Sequence, residues 1–180
     1  LEHCSPYLMP IVITALNTGM RKMEILSLKW ASVDLSNNVI TLDHADTKSK
    51  KTRRVPLNST MRTLLLEQKA KTQKTGYVFL SSKGTPYGGE RHIQNTWLKT
   101  LKDAGITGLR FHDLRHTFAT RAIESGASIV AVSKILGHAD LKTTMRYTHP
   151  EDSLKDAVEK LENFTLTRSN FRSNENSTIE

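Results

Sequence analysis

The sequence predicts a mainly α-helical protein with a small three-stranded antiparallel sheet, which is an α+β fold. Apolar residues recur at three- and four-residue intervals along most of the chain, as in helices that pack on a core. Glycine ends several of these stretches, for example at Gly19, Gly126 and Gly137. Between residues 33 and 57, short apolar runs instead alternate with turn residues, which is the pattern of strands.

The first elements are two helices and the sheet. Residues 7–16 are apolar and predict a buried helix with Pro10 near its first turn. Residues 21–30 predict a second helix, since Met23, Leu26 and Trp30 share one face. The three strands are predicted at 33–35, 39–42 and 54–57.

The rest of the chain is predicted to be helical, apart from a short buried run at 77–80 and a glycine-containing loop at 81–90. The helices are predicted at 59–71, 91–104, 112–125, 129–136, 141–147 and 150–161. Residues 163–180 are rich in Asn, Ser and Thr, with few apolar anchors, and predict a tail that becomes ordered only when it docks.

The charge indicates a polyanionic partner. The 180 residues include 26 Lys or Arg and 18 Asp or Glu, a formal net charge of +8. Residues 1–149 hold 22 basic and 11 acidic side chains, whereas residues 150–180 hold 4 and 7. The polyanion-binding surface is therefore predicted within the first 149 residues.

Several classes of protein are not indicated. No stretch approaches the roughly 20 apolar residues that span a bilayer, and residues 1–30 lack the pattern of a signal peptide. Cys4 is the single cysteine, so an intrachain disulfide and a Cys-based zinc cluster are excluded. A protein of the reducing cytoplasm, without a membrane partner, is expected.

The densest cluster of charge lies before the third strand, at an expected hairpin tip. Its five cations are Lys48, Lys50, Lys51, Arg53 and Arg54. Such a cluster attracts phosphate backbones because each neutralised phosphate releases counterions. A solvated charged turn is an equally supported interpretation.

The segment from His112 to His116 offers two chemistries. On a helix, His112, Arg115 and His116 lie at i, i+3 and i+4, so all three can face one object. Paired histidines resemble a zinc site, but Asp113 is shorter than the glutamate of HExxH, and an arginine would repel the ion. We favour an anion site, with Arg115 as a bidentate donor to phosphate oxygens. An ordinary helix with one core histidine is the alternative for this segment alone.

Three further residues stand out. Arg21 is expected in the first turn of a helix, where the helix dipole opposes its charge, and Glu24 one turn later could orient it. A surface salt bridge is the simpler explanation of that pair. His138 follows a helix end and Tyr147 comes nine residues later. By themselves they are more simply a helix cap and a core tyrosine.

Together these segments resemble the tyrosine recombinase (phage integrase) family, in this order and at this spacing. The matching blocks are TGMRKMEILSLKW, TKSKKTRRVPL, HDLRHTFAT, LGH and TTMRYTH. Five independent blocks make the match specific, and it covers residues 11–162. The resemblance implies the catalytic-domain fold of the DNA breaking–rejoining enzymes.

The resemblance also implies a role for each of these residues. Arg21 and Arg115 correspond to the two catalytic arginines, and Glu24 to the acid that supports the first. Lys48 corresponds to the hairpin lysine, since it lies eight residues before Pro56. The other catalytic residues implied are His112, His138 and the nucleophile Tyr147. Lys50, Lys51, Arg53 and Arg54 are expected to bind DNA.

The activity implied is site-specific recombination in the integration or excision of a mobile element. Tyr147 would attack a DNA phosphate and form a 3′-phosphotyrosyl intermediate, without metal or cofactor. A tyrosine hydroxyl, with a pKa of about 10, needs such a cationic surrounding or a base to act as a nucleophile. The alternatives are relaxation of DNA by a type IB topoisomerase-like reaction, a catalytically silent DNA-binding module, and a zinc hydrolase using His112 and His116.

The resemblance implies partners and domain organisation as well. The partner is double-stranded DNA, with a homotetramer on two duplexes for the full-length protein and accessory DNA-binding proteins. Residues 1–162 would form the catalytic domain, without the family's N-terminal core-binding domain, and 163–180 a tail that docks on a neighbouring protomer. The expected location is the cytoplasm of a bacterium, with a bacterial or phage gene.

Overall fold

The computed structural model describes residues 1–43, 52–89 and 91–148. Its helices are α1 (Met9–Thr18), α2 (Lys22–Leu26), α3 (Ser59–Thr72), α4 (Arg91–Asp103), α5 (Asp113–Glu124), α6 (Ile129–Leu136) and α7 (Lys142–Met145). The strands are β1 (Val33–Asp34), β2 (Val39–Leu42) and β3 (Arg53–Pro56). This mainly helical architecture with one small sheet confirms the predicted fold class.

The sheet is antiparallel with the order β1-β2-β3. β2 pairs with β3 so that Leu42 lies opposite Arg53 and Ile40 opposite Val55. Since side chains alternate between the faces of a strand, Arg53 and Val55 point inward, while Arg54 is exposed. The register therefore decides which of two adjacent arginines is buried.

α1 packs against α2, α3 and α5 and contributes Ile11, Val12 and Ala15 to the core. The largest fully buried side chains are Leu8, Ile11, Met20, Ile25, Leu26, Ile40, Met61, Leu65, Ile93 and Leu136. A smaller cluster of Ala119, Val132 and Leu136 lies between α5 and α6, and Tyr147 packs against it. The α5–α6 packing thus positions the predicted nucleophile.

α2 is shorter than the helix predicted over 21–30, and Met23 is 37% exposed instead of lying on the buried face. The helix stops because the backbone after Ser27 finds partners elsewhere in the fold. Trp30 N–H donates to the carbonyl of Gly76, and Val78 N–H donates to the carbonyl of Leu28. These non-local bonds replace the next helical turn.

The ends of the helices next to the site follow the sequence closely. Ser128 caps α6 by accepting a hydrogen bond from the backbone N–H of Ala131. Gly137 ends α6 with φ 68°, a left-handed conformation that glycine adopts readily. α7 ends at Met145, before the predicted limit of 147, so Tyr147 lies just beyond the helix.

Leu1–Tyr147 form one compact unit, and Thr148 begins a second, which the structure describes at Thr148 alone. The helix predicted at 150–161, the tail at 163–180 and the domain boundary between them lie outside the described residues. Within the part of the chain that is described, no helix is long and apolar enough to cross a membrane.

Candidate active site

Arg21 is held at the start of α2 by Glu24. The backbone N–H of Arg21 donates to Glu24 Oε2 at 2.8 Å, and its Nη1 donates to Oε1 at 2.9 Å. This capping arrangement explains why an arginine occupies a helix start that its charge disfavours. The pair is no surface salt bridge, since the Glu24 side chain is 3% exposed.

Glu24 also binds a second arginine from the sheet. Arg53 donates from Nη1 to Oε1 at 2.9 Å and from Nη2 to Oε2 at 2.5 Å, which is a bidentate pair. Burial by itself would raise the pKa of Glu24, but the hydrogen bonds and charge of Arg53, together with Arg21, hold this pKa below its ordinary value. Glu24 is therefore an ionised, buried carboxylate between two cations.

The structure corrects the expectation for Arg53. The sequence predicts an exposed DNA-binding cation, but Arg53 is 7% exposed and its Nε also donates to the carbonyl of Ile135 at 2.8 Å. Its position on the inner face of β3 directs the side chain into the protein. Arg53 thus connects the sheet to α2 and to the end of α6 instead of presenting its charge to solvent.

Arg115 is a second buried cation, 4% exposed, in the first turn of α5. Nη1 donates to the carbonyl of Gly19 at 2.6 Å and Nη2 donates to the carbonyl of Leu136 at 2.7 Å. Among the described residues it forms no ion pair with a carboxylate. Since a guanidinium has five N–H donors, others remain for an anion.

The charge around Arg115 is positive on balance, since Arg21 and Arg53 outnumber the carboxylate of Glu24. Burial, followed by the charges of Arg21 and Arg53, lowers the pKa of Arg115 to about 10, so it stays protonated at neutral pH. A buried cation among other cations is unfavourable unless an anion joins it. The electrostatics therefore favour an anionic ligand here, as the sequence predicted for this segment.

Gly19 has to be glycine for two reasons. Its φ is 61°, and a Cβ would overlap the ring of Phe118 on α5. The close approach of α1 to α5 that this permits brings the Gly19 carbonyl to Arg115. The glycine of the TGMR segment therefore positions one catalytic candidate, Arg115, next to another, Arg21.

His138 lies directly after the α6 cap and points toward α7. Its Nδ1 is 2.8 Å from the hydroxyl oxygen of Thr144, which is fully buried. Burial, followed by the charges of Arg115 and Arg21, lowers the pKa of His138 to about 4, so the ring is neutral at physiological pH. Sequence reasoning missed Thr144; its signal is a hydroxyl three residues before Tyr147.

Tyr147 reaches back from α7 to α5. Its hydroxyl oxygen lies 2.5 Å from Nδ1 of His116, and the His112 ring meets the His116 ring edge-on at 5.0 Å. Burial raises the pKa of Tyr147, and the charges of Arg146 and Arg115 partly oppose that effect. From the sequence, His116 is a candidate zinc ligand and one of three residues that can face a single object, but its contact with Tyr147 is not predicted.

The structure thus gathers most of the predicted catalytic residues in one region. The start of α2 contributes Arg21 and Glu24, and α5 contributes Arg115. Both His112 and His138 lie near Arg115. Lys48, Lys50 and Lys51 lie outside the described residues, and Arg54 is exposed on β3. No group of three or more His, Cys, Asp or Glu that could hold a metal ion occurs among the residues described.

A cleft of about 550 Å³ opens beside this region. The residues that line it include Arg21, Glu24, His112, Trp97, Leu98 and Arg110. Through this cleft, an anion from solvent can reach Arg21.

The chain belongs to the phage integrase family, whose pattern it matches over residues 5–153. It is 32% identical over 157 residues to the integrase of Salmonella phage P22, which covers 83% of this chain and 41% of the relative. It is 38% identical over 151 residues to the tyrosine recombinase XerC of Bacillus pumilus, covering 77% of this chain and 48% of that protein. The chain therefore spans about half the length, or less, of these relatives.

Solved structures show the same fold. The catalytic domain of bacteriophage HP1 integrase superposes with a TM-score of 0.63 and 29% identity, covering 86% of each chain. The XerH site-specific recombinase bound to difH substrate, in a pre-cleavage complex, gives a TM-score of 0.65 and 28% identity over 83% of this chain and 45% of that one. The fold is that of a tyrosine recombinase catalytic domain.

Proposed function

We propose that this chain carries out strand cleavage and rejoining in a site-specific DNA recombinase, in the integration or excision of a mobile element. One observation carries the proposal: the buried Arg115, which forms no ion pair with a carboxylate among the described residues, lies in the same charged centre as Arg21, and its charge acts on the Tyr147 hydroxyl. This is an anion site with a nucleophile beside it. The XerH structure, solved with its difH substrate, supports DNA as the anion.

In the proposed reaction, Tyr147 attacks a DNA phosphate and a 5′-hydroxyl leaves. The negative charge that develops on the non-bridging oxygens is stabilised by Arg21 and Arg115, which the fold holds in place before the reaction. The product is a 3′-phosphotyrosyl link, which retains the energy of the phosphodiester. The hydroxyl of another strand then attacks that link and releases Tyr147.

Two histidines and several cations also have proposed roles in this reaction. His112 and neutral His138 contact the phosphate as hydrogen-bond donors, His138 through the nitrogen that Thr144 leaves unoccupied. Lys48 protonates the departing 5′-oxygen as a general acid. Lys50, Lys51 and Arg54 hold the DNA backbone. No cofactor takes part.

The wider assembly is proposed from the family. The full-length protein would act as a homotetramer on two duplexes, with accessory DNA-binding proteins, in the cytoplasm of a bacterium. The relatives from a phage and from bacteria support this setting. Residues 1–162 would form the catalytic domain, and residues 163–180 would dock on a neighbouring protomer.

The test is a selection for covalent adducts. The chain is incubated with nicked duplexes of randomised sequence, and DNA that stays attached after denaturation is recovered and sequenced. We expect adducts through Tyr147 that disappear in Tyr147→Phe, because the attacking oxygen is lost. DNA binding, measured by gel shift, should persist.

Tyr7→Phe is the matched control, since Tyr7 is exposed and lines a different cleft, which shares no residue with the one beside Arg21. Its adduct yield should equal that of the wild type. Adducts that survive Tyr147→Phe would contradict the assignment of the nucleophile. DNA binding without any adduct would identify a silent binding module, and relaxation of a plasmid without strand exchange would identify topoisomerase-like activity.

A further inference from the structure

A second histidine on α5, His116, contacts the reacting atom of the proposed nucleophile. Its Nδ1 lies 2.5 Å from the Tyr147 hydroxyl oxygen, a short hydrogen bond between a nitrogen base and a phenol. The two rings are tilted, with their centroids 5.6 Å apart. Of the described histidines, His116 is the one bonded to this oxygen, whereas His138 is bonded to Thr144.

The fold holds this contact from both sides. His116 lies one turn after His112 on α5, and the two rings meet edge-on at 5.0 Å and 86°. Tyr147 is fixed by packing on the Ala119–Val132–Leu136 cluster, and its backbone N–H donates to the carbonyl of Thr144. The contact between His116 and Tyr147 is therefore accompanied by packing on both rings.

Tyr147 requires such a base. Its pKa is raised by burial, so only a small fraction of phenolate is present at neutral pH. The nearby cations stabilise the phenolate but accept no proton, since an arginine is already protonated. His138 is directed toward Thr144 instead of Tyr147. Among the described residues of the predicted catalytic set, none is hydrogen-bonded to the Tyr147 hydroxyl, so a proton acceptor in contact with it has to come from outside that set.

We propose that His116 is the general base that removes the proton of Tyr147 through Nδ1. This inference rests on the proposed DNA-cleavage function. As the Tyr147 oxygen forms its bond to phosphorus, the phenolic proton passes to Nδ1. The electron pair of the breaking P–O5′ bond goes to the 5′-oxygen, which takes a proton from the proposed general acid Lys48. In rejoining, the imidazolium returns its proton to the Tyr147 oxygen.

The charged and titratable groups near His116 come from two parts of the fold. His112, Asp113 and Arg115 lie on its own helix. Tyr147 contacts it from the segment after α7, where Arg146 is the adjacent charged residue.

The first experiment uses the free chain and needs no DNA. Nitrogen-15 NMR of the labelled histidines reports which ring nitrogen carries the proton. We expect Nδ1 of neutral His116 to be unprotonated and to accept a hydrogen bond, and this signal should change in Tyr147→Phe. A neutral ring protonated at Nδ1 would donate to the tyrosine instead, and the base assignment would then be wrong.

The second experiment measures single-turnover cleavage of a duplex recovered in the adduct selection. His116→Ala should slow cleavage by about 10²- to 10⁴-fold, the usual contribution of a general base, with DNA affinity unchanged. His116→Asn should be equally slow, because an amide can accept the hydrogen bond but not the proton. Free imidazole should restore part of the rate of His116→Ala.

The pH profile separates catalysis from positioning. The wild-type rate should level off at a lower pH than the rate of His116→Ala, because a general base removes the phenolic proton before the tyrosine itself ionises. His116→Ala should instead keep rising toward the range where tyrosine ionises, near pH 10. His3→Ala, an exposed histidine replaced in the same way, should match the wild type.

Full activity in His116→Asn would overturn the proposal and leave His116 as a positioning residue. A wild type that forms no adduct with any duplex would instead refute the proposed DNA cleavage. In that case the NMR result still decides whether His116 accepts the hydrogen bond from Tyr147, so the two failures are distinct.

Discussion

At the scale of single residues, Glu24 organises the charged centre. Its buried carboxylate accepts hydrogen bonds from the guanidinium groups of Arg21 and Arg53. Arg53 also donates a hydrogen bond to the carbonyl of Ile135. The orientation of a catalytic candidate, Arg21, thus depends on a residue of the sheet that is largely buried. Arg53 acts through Glu24 and is a positioning residue.

Arg53→Met should destabilise the protein by about 3–5 kcal/mol, because it leaves a buried carboxylate with one of its two cations. Arg54→Met is the matched control on the same strand. Since Arg54 is exposed, its replacement should change stability by less than about 0.5 kcal/mol. Urea unfolding of the two variants measures the difference; equal losses would show that the Arg53–Glu24 pair does not stabilise the fold.

The effect of Arg53→Met on folding stability should also depend on pH. The pKa of Glu24 lies below its ordinary value of 4.5, so ionised Glu24 stabilises the fold above about pH 4.5. This contribution is lost as the pH falls through the lowered pKa. Without Arg53 the pKa is depressed less, and the stability gap between wild type and Arg53→Met should therefore narrow below pH 4.5.

At the scale of elements, the junction after α6 brings several contacts together. Leu136 supplies a carbonyl to Arg115, Ile135 supplies one to Arg53, and His138 follows immediately. Gly137 lies among them with φ 68°, and a Cβ there would be 2.8 Å from Cδ of Arg53. The junction needs glycine both for its backbone conformation and for the space that Arg53 occupies.

Gly137→Ala should therefore reduce folding stability more than a glycine replacement that causes strain only in the backbone. Gly105 has nearly the same φ, 67°, and open space around its Cβ position. Gly105→Ala should lose about 1–2 kcal/mol from the left-handed conformation, and Gly137→Ala should lose more because Arg53 has to move. Thermal unfolding of both variants tests this; equal costs would show that Arg53 yields without penalty.

The ends of the helices show where the local sequence pattern is sufficient to predict the structure. The caps Ser128 and Gly137 delimit α6 as predicted, because the bonds that end this helix are made within a few residues. α2 is shorter than predicted because its end depends on the backbone of residues 76–78, far along the chain. A periodic pattern does not contain such a partner.

At the scale of the whole molecule, the positive charge is divided between two tasks. Arg21, Arg53 and Arg115 are wholly or largely buried and form one centre with Glu24. Exposed cations such as Arg54 remain available to a DNA backbone. The net charge of +8 therefore overstates the charge that can contact phosphates from the surface.

DNA affinity should reflect this division. Arg54→Met should weaken binding similarly on all sequences and reduce the slope of log K against log salt by about one, since one phosphate contact is lost. Arg53→Met, measured where it is folded, should leave the slope unchanged because its charge is internal. Filter binding over a range of salt concentrations measures both slopes, and a reduced slope for Arg53→Met would contradict its assignment as an internal cation.

The sequence by itself determined the fold class and the order of the elements, and it predicted most of the residues that the structure gathers in the candidate site. These features are encoded in local periodicity, in capping residues and in motifs such as HDLRH, all of which act over a few positions. The tertiary structure alone decided that Arg53 is internal, that Thr144 holds His138 and that His116 meets Tyr147. The physical reason is that these contacts join residues brought together by strand register and helix packing, and neither pairing is specified by the spacing of residues within one segment.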